Sequence, residues 1–180
     1  YIIKNNKITS IKAKHVILAT GGAGQVFSHT TNPSISTGDG FGMGARAGCH
    51  FKDVEFVQFH PTGFYYKGKA RFLISEAVRG EGAYLRNSAG ERFMERYDAR
   101  KELAPRDIVS RAIFEEEKKG QVYLDILHKN AKEVRARFPQ IQSNLKQYEL
   151  DMTKHLIPIS PAAHYMCGGI EVSLKGETGI

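Results

Sequence analysis

The pattern of hydrophobic and polar positions along this 180-residue chain predicts a succession of short strands and short helices. No apolar run is long enough to cross a bilayer. Near the beginning, two short strands flank the turn-forming pair Asn5-Asn6. Residues 14–19 then form a nearly unbroken apolar run, which is typical of a buried parallel strand. The run ends at Gly21 and Gly22, where the missing Cβ atoms let a ligand or another backbone come close.

A helix of small residues is predicted next, at the end of the glycine-laced stretch of residues 36–48. A helix N-terminus that follows glycines is a ready site for an anion. Asp39 lies at this point, and two roles remain open for its carboxylate. It either caps the helix or accepts a hydrogen bond from a ribose.

Residues 53–60 alternate in polarity, and this period of two predicts a strand with Gln58 and His60 on the same face. Pro61 holds His60 extended, and Thr62-Gly63 predicts a turn directly after it. A single histidine on a strand is more often structural than catalytic, so His60 needs support from other residues. The stretch of residues 72–82 combines an apolar run, charged side chains and glycines, and its polar groups cannot all be buried without partners.

The most informative helix is expected to begin at Pro105, because proline suits the first helical position and apolar residues then recur at helical spacing. Arg106 therefore lies in the first turn, where the partial positive charge of the helix end disfavours a cation. Arg106 needs a partner elsewhere, either a carboxylate in a structural ion pair or a group in a binding cleft. The acidic run at residues 115–117, followed by two lysines, indicates a solvated helix face.

The remaining elements are expected to serve packing. A hairpin is predicted around residues 87–90 and a short strand over residues 122–126. Asn130 is expected to cap one helix and Pro139 to open another. Prolines and glycines in residues 157–170 predict an extended approach and then a loop that holds His164 and Tyr165.

Composition narrows the class of protein. The net charge of +7 favours binding to nucleic acid, to an acidic membrane surface or to small anions. The basic residues are scattered, however, and no base-reading motif is present. A basic nucleic-acid-binding module is therefore the weaker alternative. Cys49 and Cys167 are far apart and lack metal-ligand spacing, which favours reduced thiols in a cytosolic protein. The abrupt strand-like beginning suggests a chain cut from a longer one.

Two histidines and two arginines could form one cationic cleft. His60, Arg79, Arg106 and His164 lie in segments that glycine turns could bring together. Paired guanidinium and imidazolium groups hold carboxylates at both ends, so such a cleft suits a small dianion. This chemistry does not by itself name a reaction.

Seven motifs in their order carry a resemblance that covers almost the whole chain. They are Ala19-Thr20-Gly21-Gly22, Thr31-Asn32-Pro33, Thr37-Gly38-Asp39-Gly40, Gln58-Phe59-His60-Pro61-Thr62, Glu76-Ala77-Val78-Arg79-Gly80-Glu81-Gly82, Ala104-Pro105-Arg106-Asp107 and His164-Tyr165-Met166-Cys167-Gly168-Gly169. The order resembles flavoproteins of the succinate dehydrogenase and fumarate reductase superfamily. Ala83, the stretch of residues 124–129, and Cys167 in place of a methionine are similar to its L-aspartate oxidase branch.

The resemblance implies an α+β capping domain flanked by parts of an α/β FAD-binding domain. Residues 1–55 would belong to the FAD-binding domain, residues 56–165 would form the capping domain that closes over substrate, and residues 166–180 would return to the FAD-binding domain. The cofactor implied is FAD, with Gly21, Gly22 and Asp39 in contact with it.

The resemblance also implies the roles of the site residues. Arg106 and His60 would be catalytic, with Arg106 as proton donor and acceptor. His60 and His164 would bind substrate carboxylates, and the pocket would be lined by Gln58, Ser75 and Glu76. Because a guanidinium normally stays protonated, a proton shuttle at Arg106 needs nearby cations and a dry site. Ser75 stands where many relatives have threonine.

The implied reaction is oxidation of L-aspartate to iminoaspartate in NAD (quinolinate) biosynthesis, with oxygen or fumarate as electron acceptor. The implied partners are a small dicarboxylate and quinolinate synthase, with no metal, nucleic acid or membrane, in the cytoplasm. The alternative is a flavoprotein subunit of fumarate reductase or succinate dehydrogenase, which would share nearly every site residue. The glycine-rich dinucleotide fingerprint lies outside residues 1–180, so the segment alone is expected to be inactive.

Overall fold

A computed structural model describes residues 2–180, and the fold is α+β, as predicted. The strands in this part of the chain are β1 (Ile2–Lys4), β2 (Lys7–Thr9), β3 (Phe51–Lys52), β4 (Val57–Tyr66), β5 (Lys69–Leu73), β6 (Tyr84–Arg86), β7 (Val122–Asp125), β8 (Ile157–Met166) and β9 (Gly169–Ile170). The α-helices are α1 (Asp39–Ala47), α2 (Glu76–Gly80), α3 (Arg106–Glu117), α4 (Ala131–Arg137) and α5 (Pro139–Lys146).

A five-stranded antiparallel sheet organises the molecule, in the order β5-β4-β8-β7-β6. Its two long central strands pair with each other, and α3 packs across both. Burying one large apolar side chain contributes about 1.5–3 kcal/mol, so the core between sheet and helices stabilises this unit most. Its fully buried apolar residues include Phe64, Ile74, Val78, Leu85, Phe93, Val109, Ile113, Leu145, Ile157 and Ile159.

The central pair β4 and β8 is irregular at two points. Between the pairs Gln58↔Tyr165 and Phe59↔Ala163, β8 contains one extra residue, His164. A second register shift follows His60, in the part of β4 that contains Pro61. Proline cannot donate to a ladder, and bulges in a strand often redirect a side chain next to a functional site.

Two predicted breaks in the long strands are wrong. Thr62-Gly63 does not turn the chain, because the Thr62 carbonyl accepts from Ile74 N at 2.9 Å and its hydroxyl donates to Ile74 O at 2.8 Å. Pairing on both sides therefore continues β4 to Tyr66. His164 and Tyr165 lie in β8 and not on a loop.

The predicted strand over residues 14–19 is also wrong. The segment is irregular, and Val16 and Ile17 are 83% and 90% exposed. A buried parallel strand needs neighbouring strands and helices on both faces. Among residues 2–180 no strand pairs with this segment, so it lacks the neighbours that a buried strand requires.

Two further expectations need correction. The alternating strand begins at Val57, whereas Val54 and Phe56 precede it and are exposed. Glu116 does not lie on a solvated face, because it is buried and accepts hydrogen bonds from Asn87, Arg96 and Tyr97. Burial of that carboxylate is offset by these donors and by Lys119 Nζ at 3.5 Å.

The local rules for turns and helix ends are confirmed. Asn5 and Asn6 have φ values of 51° and 58°, which a tight hairpin turn between β1 and β2 requires. Asn130 caps α4 by accepting from Lys132 N and Glu133 N, and Pro139 opens α5. A turn over residues 87–90 connects the backbone of β6 to Arg92.

The segments just before β4 and just after β8 pair with each other in a separate two-stranded sheet. There β3 pairs with β9, and the side chain of Ile170 packs over Gly44 of α1. Both Cys49 and Cys167 are free thiols, as predicted. In the described residues, no helix has the length and apolar character needed to cross a membrane.

Candidate active site

Arg106 is the first residue of α3 and has the partners that its position in the first turn requires. Its Nε donates to Glu76 Oε2 and its Nη1 donates to Gln58 Oε1, each at 2.8 Å. Glu76 comes from the first turn of α2, where a carboxylate is favoured by the helix dipole. Gln58 comes from β4. The carboxylate partner predicted from the sequence is therefore confirmed, and Gln58 is a second partner.

His60 belongs to β4, lies beside Arg106 of α3 and is 1% exposed. Its Nδ1 accepts from the backbone N–H of Thr62 at 3.2 Å, so the neutral ring has its proton on Nε2. Burial lowers the pKa of His60 to about 3, with further lowering by Arg106 and Arg79. The imidazole is therefore neutral near pH 7, and the expected imidazolium at this position is wrong.

His164 approaches the same point from β8, where it is the extra residue of the bulge. The centres of the His60 and His164 rings are 5.4 Å apart, in an edge-to-face arrangement. Burial and the charge of Arg106 lower the pKa of His164. The two histidines and Arg106 therefore share one location, as the resemblance implies. We call Gln58, His60, Glu76, Arg106 and His164 the Arg106 cluster.

A loop before α1 holds His164, and the sequence reasoning did not assign it this role. Asn32 Nδ2 donates to the His164 carbonyl at 2.8 Å, and Thr31 Oγ1 lies 3.4 Å from His164 Nδ1. Thr31 N also donates to Ala163 O at 3.2 Å. In the sequence, the motif Thr31-Asn32-Pro33 contributes only to the family resemblance. Its role in holding His164 could not be predicted, because its contact with β8 depends on long-range folding.

Arg79 lies behind Glu76 and is 1% exposed. Its Nη1 donates to the Glu102 carbonyl at 2.5 Å, and its Nη2 lies 3.6 Å from Glu76 Oε1. Burial lowers the pKa of Arg79. The hydrogen bond from Arg106, with smaller effects of both guanidinium charges, lowers the pKa of Glu76. Glu76 is therefore an ionised carboxylate between two guanidinium groups.

Ser75 is adjacent to the cluster but is engaged elsewhere. It is the N-cap of α2, where its Oγ accepts from Ala77 N at 3.2 Å. No hydrogen bond joins it to His60, His164 or Arg106 among the described side chains. Its oxygen therefore stabilises the helix that presents Glu76, and its exposed hydroxyl hydrogen remains free to donate.

Gly21, Gly22 and Asp39 come together at the other candidate site. Gly38 N donates to Gly22 O at 3.2 Å, which brings the glycine pair to the N-terminus of α1. Gly21 has φ +71° and open space beside its Cα, so a ligand can approach its backbone. Asp39 makes no capping bond and accepts from Thr37 Oγ1 at 2.8 Å. Exposed glycine backbone beside a helix N-terminus fits a phosphate-bearing cofactor.

A cleft of about 720 Å³ opens on the other side of Arg106, between α3 and β4. It is mostly apolar, with Phe27, Phe59 and Phe114 in its walls, and Glu117 at its edge. Burial raises the pKa of Glu117. Gln58 and Arg106 border this cleft, whereas His60 and His164 do not. The cleft therefore adjoins the Arg106 cluster through these two side chains and lies on the side away from the two histidines.

The chain is similar to flavoproteins along nearly its whole length. A family model described as FAD binding domain matches residues 1–179. L-aspartate oxidase of Vibrio cholerae is 53% identical over 176 residues, which cover 96% of this chain and 33% of that protein. The chloroplastic L-aspartate oxidase of Arabidopsis thaliana is 46% identical over 190 residues, covering 99% and 29%. The chain thus spans about a third of the length of these curated relatives.

Two solved structures share the fold. A quinol-fumarate reductase with menaquinol molecules has a TM-score of 0.79 and 40% identity, covering 87% of this chain and 30% of that one. Sdh1 of Mycobacterium smegmatis in complex with UQ1 has a TM-score of 0.75 and 40% identity, covering 90% and 28%. The resemblance drawn from the seven motifs is confirmed, and so is FAD as the family's cofactor. Since the family model matches residues 1–179, the chain belongs to the FAD binding domain family.

Proposed function

We propose that this chain forms the substrate-holding part of an FAD-dependent L-aspartate oxidase, which oxidises L-aspartate to iminoaspartate. The observation that carries the proposal is the convergence of Arg106, His60 and His164, which come from three separate segments. The identity of 53% to an L-aspartate oxidase supports the choice of substrate. The cluster suits a small dicarboxylate, because guanidinium and imidazole N–H groups are strong donors to carboxylates.

His60 and His164 bind the two carboxylates of the substrate in this proposal. The Thr62 N–H occupies His60 Nδ1, which leaves Nε2–H as a fixed donor. A neutral donor is suited to orienting a carboxylate, and Arg106 supplies the positive charge. Ser75, with its free hydroxyl hydrogen, lines the pocket beside Glu76. Gln58 and Glu76 each hold one nitrogen of the Arg106 guanidinium, which leaves Nη2 free of these two bonds to donate to substrate.

The reaction removes a hydride from the α-carbon of L-aspartate and a proton from its nitrogen, which leaves a C=N bond. FAD, held by Gly21, Gly22 and Asp39, supplies the two-electron acceptor chemistry when bound. The electrons end on oxygen, giving hydrogen peroxide, or on fumarate, giving succinate. Arg106 is the proton donor and acceptor. Its guanidinium gives one proton to the Glu76 carboxylate at 2.8 Å and takes another from the substrate nitrogen, in the dry site that forms when the capping domain closes over substrate. His60 contributes to catalysis by orienting the substrate.

We also propose a division of the chain into domains. Residues 1–55 and 166–180 belong to an FAD-binding domain, and residues 56–165 form a capping domain that closes over substrate. The extent of the five-stranded sheet, from Val57 to Met166, supports these boundaries. In the cell the protein acts in the cytoplasm in NAD biosynthesis, and quinolinate synthase consumes its unstable imine. The free thiols Cys49 and Cys167 agree with a reducing compartment.

The second candidate function is that of a fumarate reductase or succinate dehydrogenase flavoprotein subunit. Its support is the structural similarity to such proteins at 40% identity. The same donor groups would bind succinate or fumarate, because the Arg106 cluster contacts carboxylates in either case. The two functions differ in whether the substrate's α-carbon bears an amine.

Anaerobic reduction of the flavin separates these functions. The complete reading frame that encodes this chain is expressed, its flavin spectrum is recorded, and substrates are added without oxygen. We expect L-aspartate to bleach the flavin, with iminoaspartate as product. Bleaching by succinate but not by L-aspartate would establish the second function, and a protein that carries no flavin would refute both. Residues 1–180 expressed alone are expected to be inactive.

A further inference from the structure

A buried carboxylate lies outside the Arg106 cluster and has no role in the proposed reaction. Glu102 is 3% exposed, in a 3-10 turn that spans Lys101–Leu103. Arg92 donates to it twice, from Nε at 2.9 Å and from Nη2 at 2.6 Å, and Leu85 N donates at 3.1 Å. Burial alone raises the pKa of Glu102, but these donors outweigh burial and the net shift is downward. The carboxylate is therefore ionised and fixed in one orientation.

The backbone of the same residue holds Arg79. The Glu102 carbonyl accepts from Arg79 Nη1 at 2.5 Å. The other two nitrogens of Arg79, Nε and Nη2, have no hydrogen-bond partner among the described residues. The Glu102 carbonyl therefore places this guanidinium together with the ion pair to Glu76 at 3.6 Å.

The turn also leads directly into Arg106. Only Leu103, the buried Ala104 and Pro105 separate Glu102 from the first residue of α3. Lys101, just before Glu102, has φ +56°, a backbone conformation that non-glycine residues rarely adopt. Such a conformation persists only where surrounding contacts determine it, and the paired Glu102 side chain supplies such contacts.

Stability alone does not explain an ion pair at this point. A buried ion pair can often be replaced by apolar side chains of similar volume without loss of stability. Apolar side chains could not reproduce the three directed hydrogen bonds that fix the orientation of this turn. Of the two arginines beside Glu76, this short segment accepts a hydrogen bond from Arg79 and leads by three residues into Arg106.

We propose that Glu102, clamped by Arg92, is a positioning residue that sets the places of Arg79 and Arg106 around Glu76. This inference rests on the proposed function for its kinetic consequences. Glu102 touches neither substrate nor cofactor and acts only through the turn that it fixes. Loss of its charge leaves Arg92 with only Glu95 at 3.9 Å and the ring of Tyr84, and it releases the turn, so both guanidinium groups move.

The test compares Glu102→Gln with a matched control in the complete protein. The control is Asp125→Asn, because Asp125 is also buried, accepts from Arg86 Nε at 2.5 Å and from Leu127 N at 2.9 Å, and has no contact with Arg79 or Arg106. Crystal structures, thermal stability, and kcat and KM as functions of pH are measured for both variants. The crystal structures report on position whether or not the enzyme turns over.

For Glu102→Gln we expect both arginine side chains to shift by about 1 Å or more and kcat to fall about 10- to 100-fold, with KM changed less than about threefold. The acid limb of the kcat profile should move to higher pH, because the displaced Arg106 and Arg79 lower the pKa of Glu76 less. Asp125→Asn should lose thermal stability but keep both arginine positions and the pH profile.

Unmoved arginines in Glu102→Gln, or a kcat and pH profile equal to wild type, would overturn the inference. An equal change in Asp125→Asn would also overturn it, since it would show a general structural effect. A wild-type protein that oxidises neither L-aspartate nor succinate would refute the proposed function instead. The crystal structures alone would then decide whether Glu102 positions the two arginines.

Discussion

Arg106 Nε donates to Glu76 Oε2 at 2.8 Å, and this bond joins the first turns of two helices that begin 30 residues apart. The side chains of the pair are 31% and 47% exposed. An ion pair this exposed contributes only about 0–1 kcal/mol to stability. Its consequence is therefore orientation, because Glu76 and Gln58 each hold one nitrogen of the Arg106 guanidinium.

Replacement of Arg106 by lysine tests this orientation. Lysine keeps the positive charge but is a flexible point donor that cannot hold Glu76 and Gln58 in a planar fork. We expect kcat for L-aspartate oxidation to fall about 100-fold or more in Arg106→Lys. Steady-state kinetics across a pH range measure it, and full turnover with an unchanged pH profile would refute the role of Arg106 in proton transfer.

The contribution of Gln58 is tested by a nearly isosteric change. Gln58→Leu removes the acceptor of Arg106 Nη1, and a hydrogen bond to a charged group is worth about 1.5–3 kcal/mol. We expect kcat to fall about 10- to 100-fold. Gln121→Leu is the control, since Gln121 Nε2 donates to Val122 O and Ile159 O on the same sheet. Equal kinetic losses in the two variants would mean that Gln58 acts only through stability.

Buried, neutral His60 predicts a specific loss of stability in acid. Its pKa is 6.5 when unfolded and about 3 when folded, so below pH 6.5 only the unfolded state takes up this proton. The part of the folding stability that depends on a neutral His60 is fully present above pH 6.5. It is lost progressively as the pH falls toward 3, by up to about 1.4 kcal/mol per pH unit. Urea unfolding should show a shallower acid decline in His60→Gln. The same slope in both proteins would show that His60 is not held neutral.

The loop that holds His164 is tested at Thr31. Thr31→Val keeps the shape but removes the hydroxyl 3.4 Å from His164 Nδ1, whereas Thr31→Ser keeps the hydroxyl. A neutral hydrogen bond is worth about 0.5–1.5 kcal/mol, so succinate should bind about 2- to 10-fold more weakly to Thr31→Val. Thr31→Ser should retain most of the affinity. Spectral titration of the bound flavin measures both, and wild-type affinity in Thr31→Val would refute the contact.

Features fixed by a few neighbouring residues were predictable from the sequence. The turn at Asn5-Asn6, the cap at Asn130 and the helix that begins after Pro105 depend on local backbone preferences. The shared face of Gln58 and His60 follows from the period of a strand. These rules were enough to place Arg106 in a first turn and to require partners for it.

Features that depend on pairing between distant segments were not predictable in the same way. The bulge at His164 exists because β4 and β8 pair out of register, and no residue of β8 reveals that alone. The apolar run of residues 14–19 predicts a buried strand only if neighbouring strands are present to pair with it. Residues 2–180 supply no such strand. The neutral state of His60 depends on burial and on Thr62, so a cationic histidine was the natural but wrong expectation.

A crystal structure of the complete protein with succinate bound tests the central claim most directly. The account predicts one carboxylate of the dianion on His60 and the other on His164, with the Arg106 guanidinium beside the carbon chain between them. Binding of succinate elsewhere, for instance in the apolar cleft between α3 and β4, would contradict it.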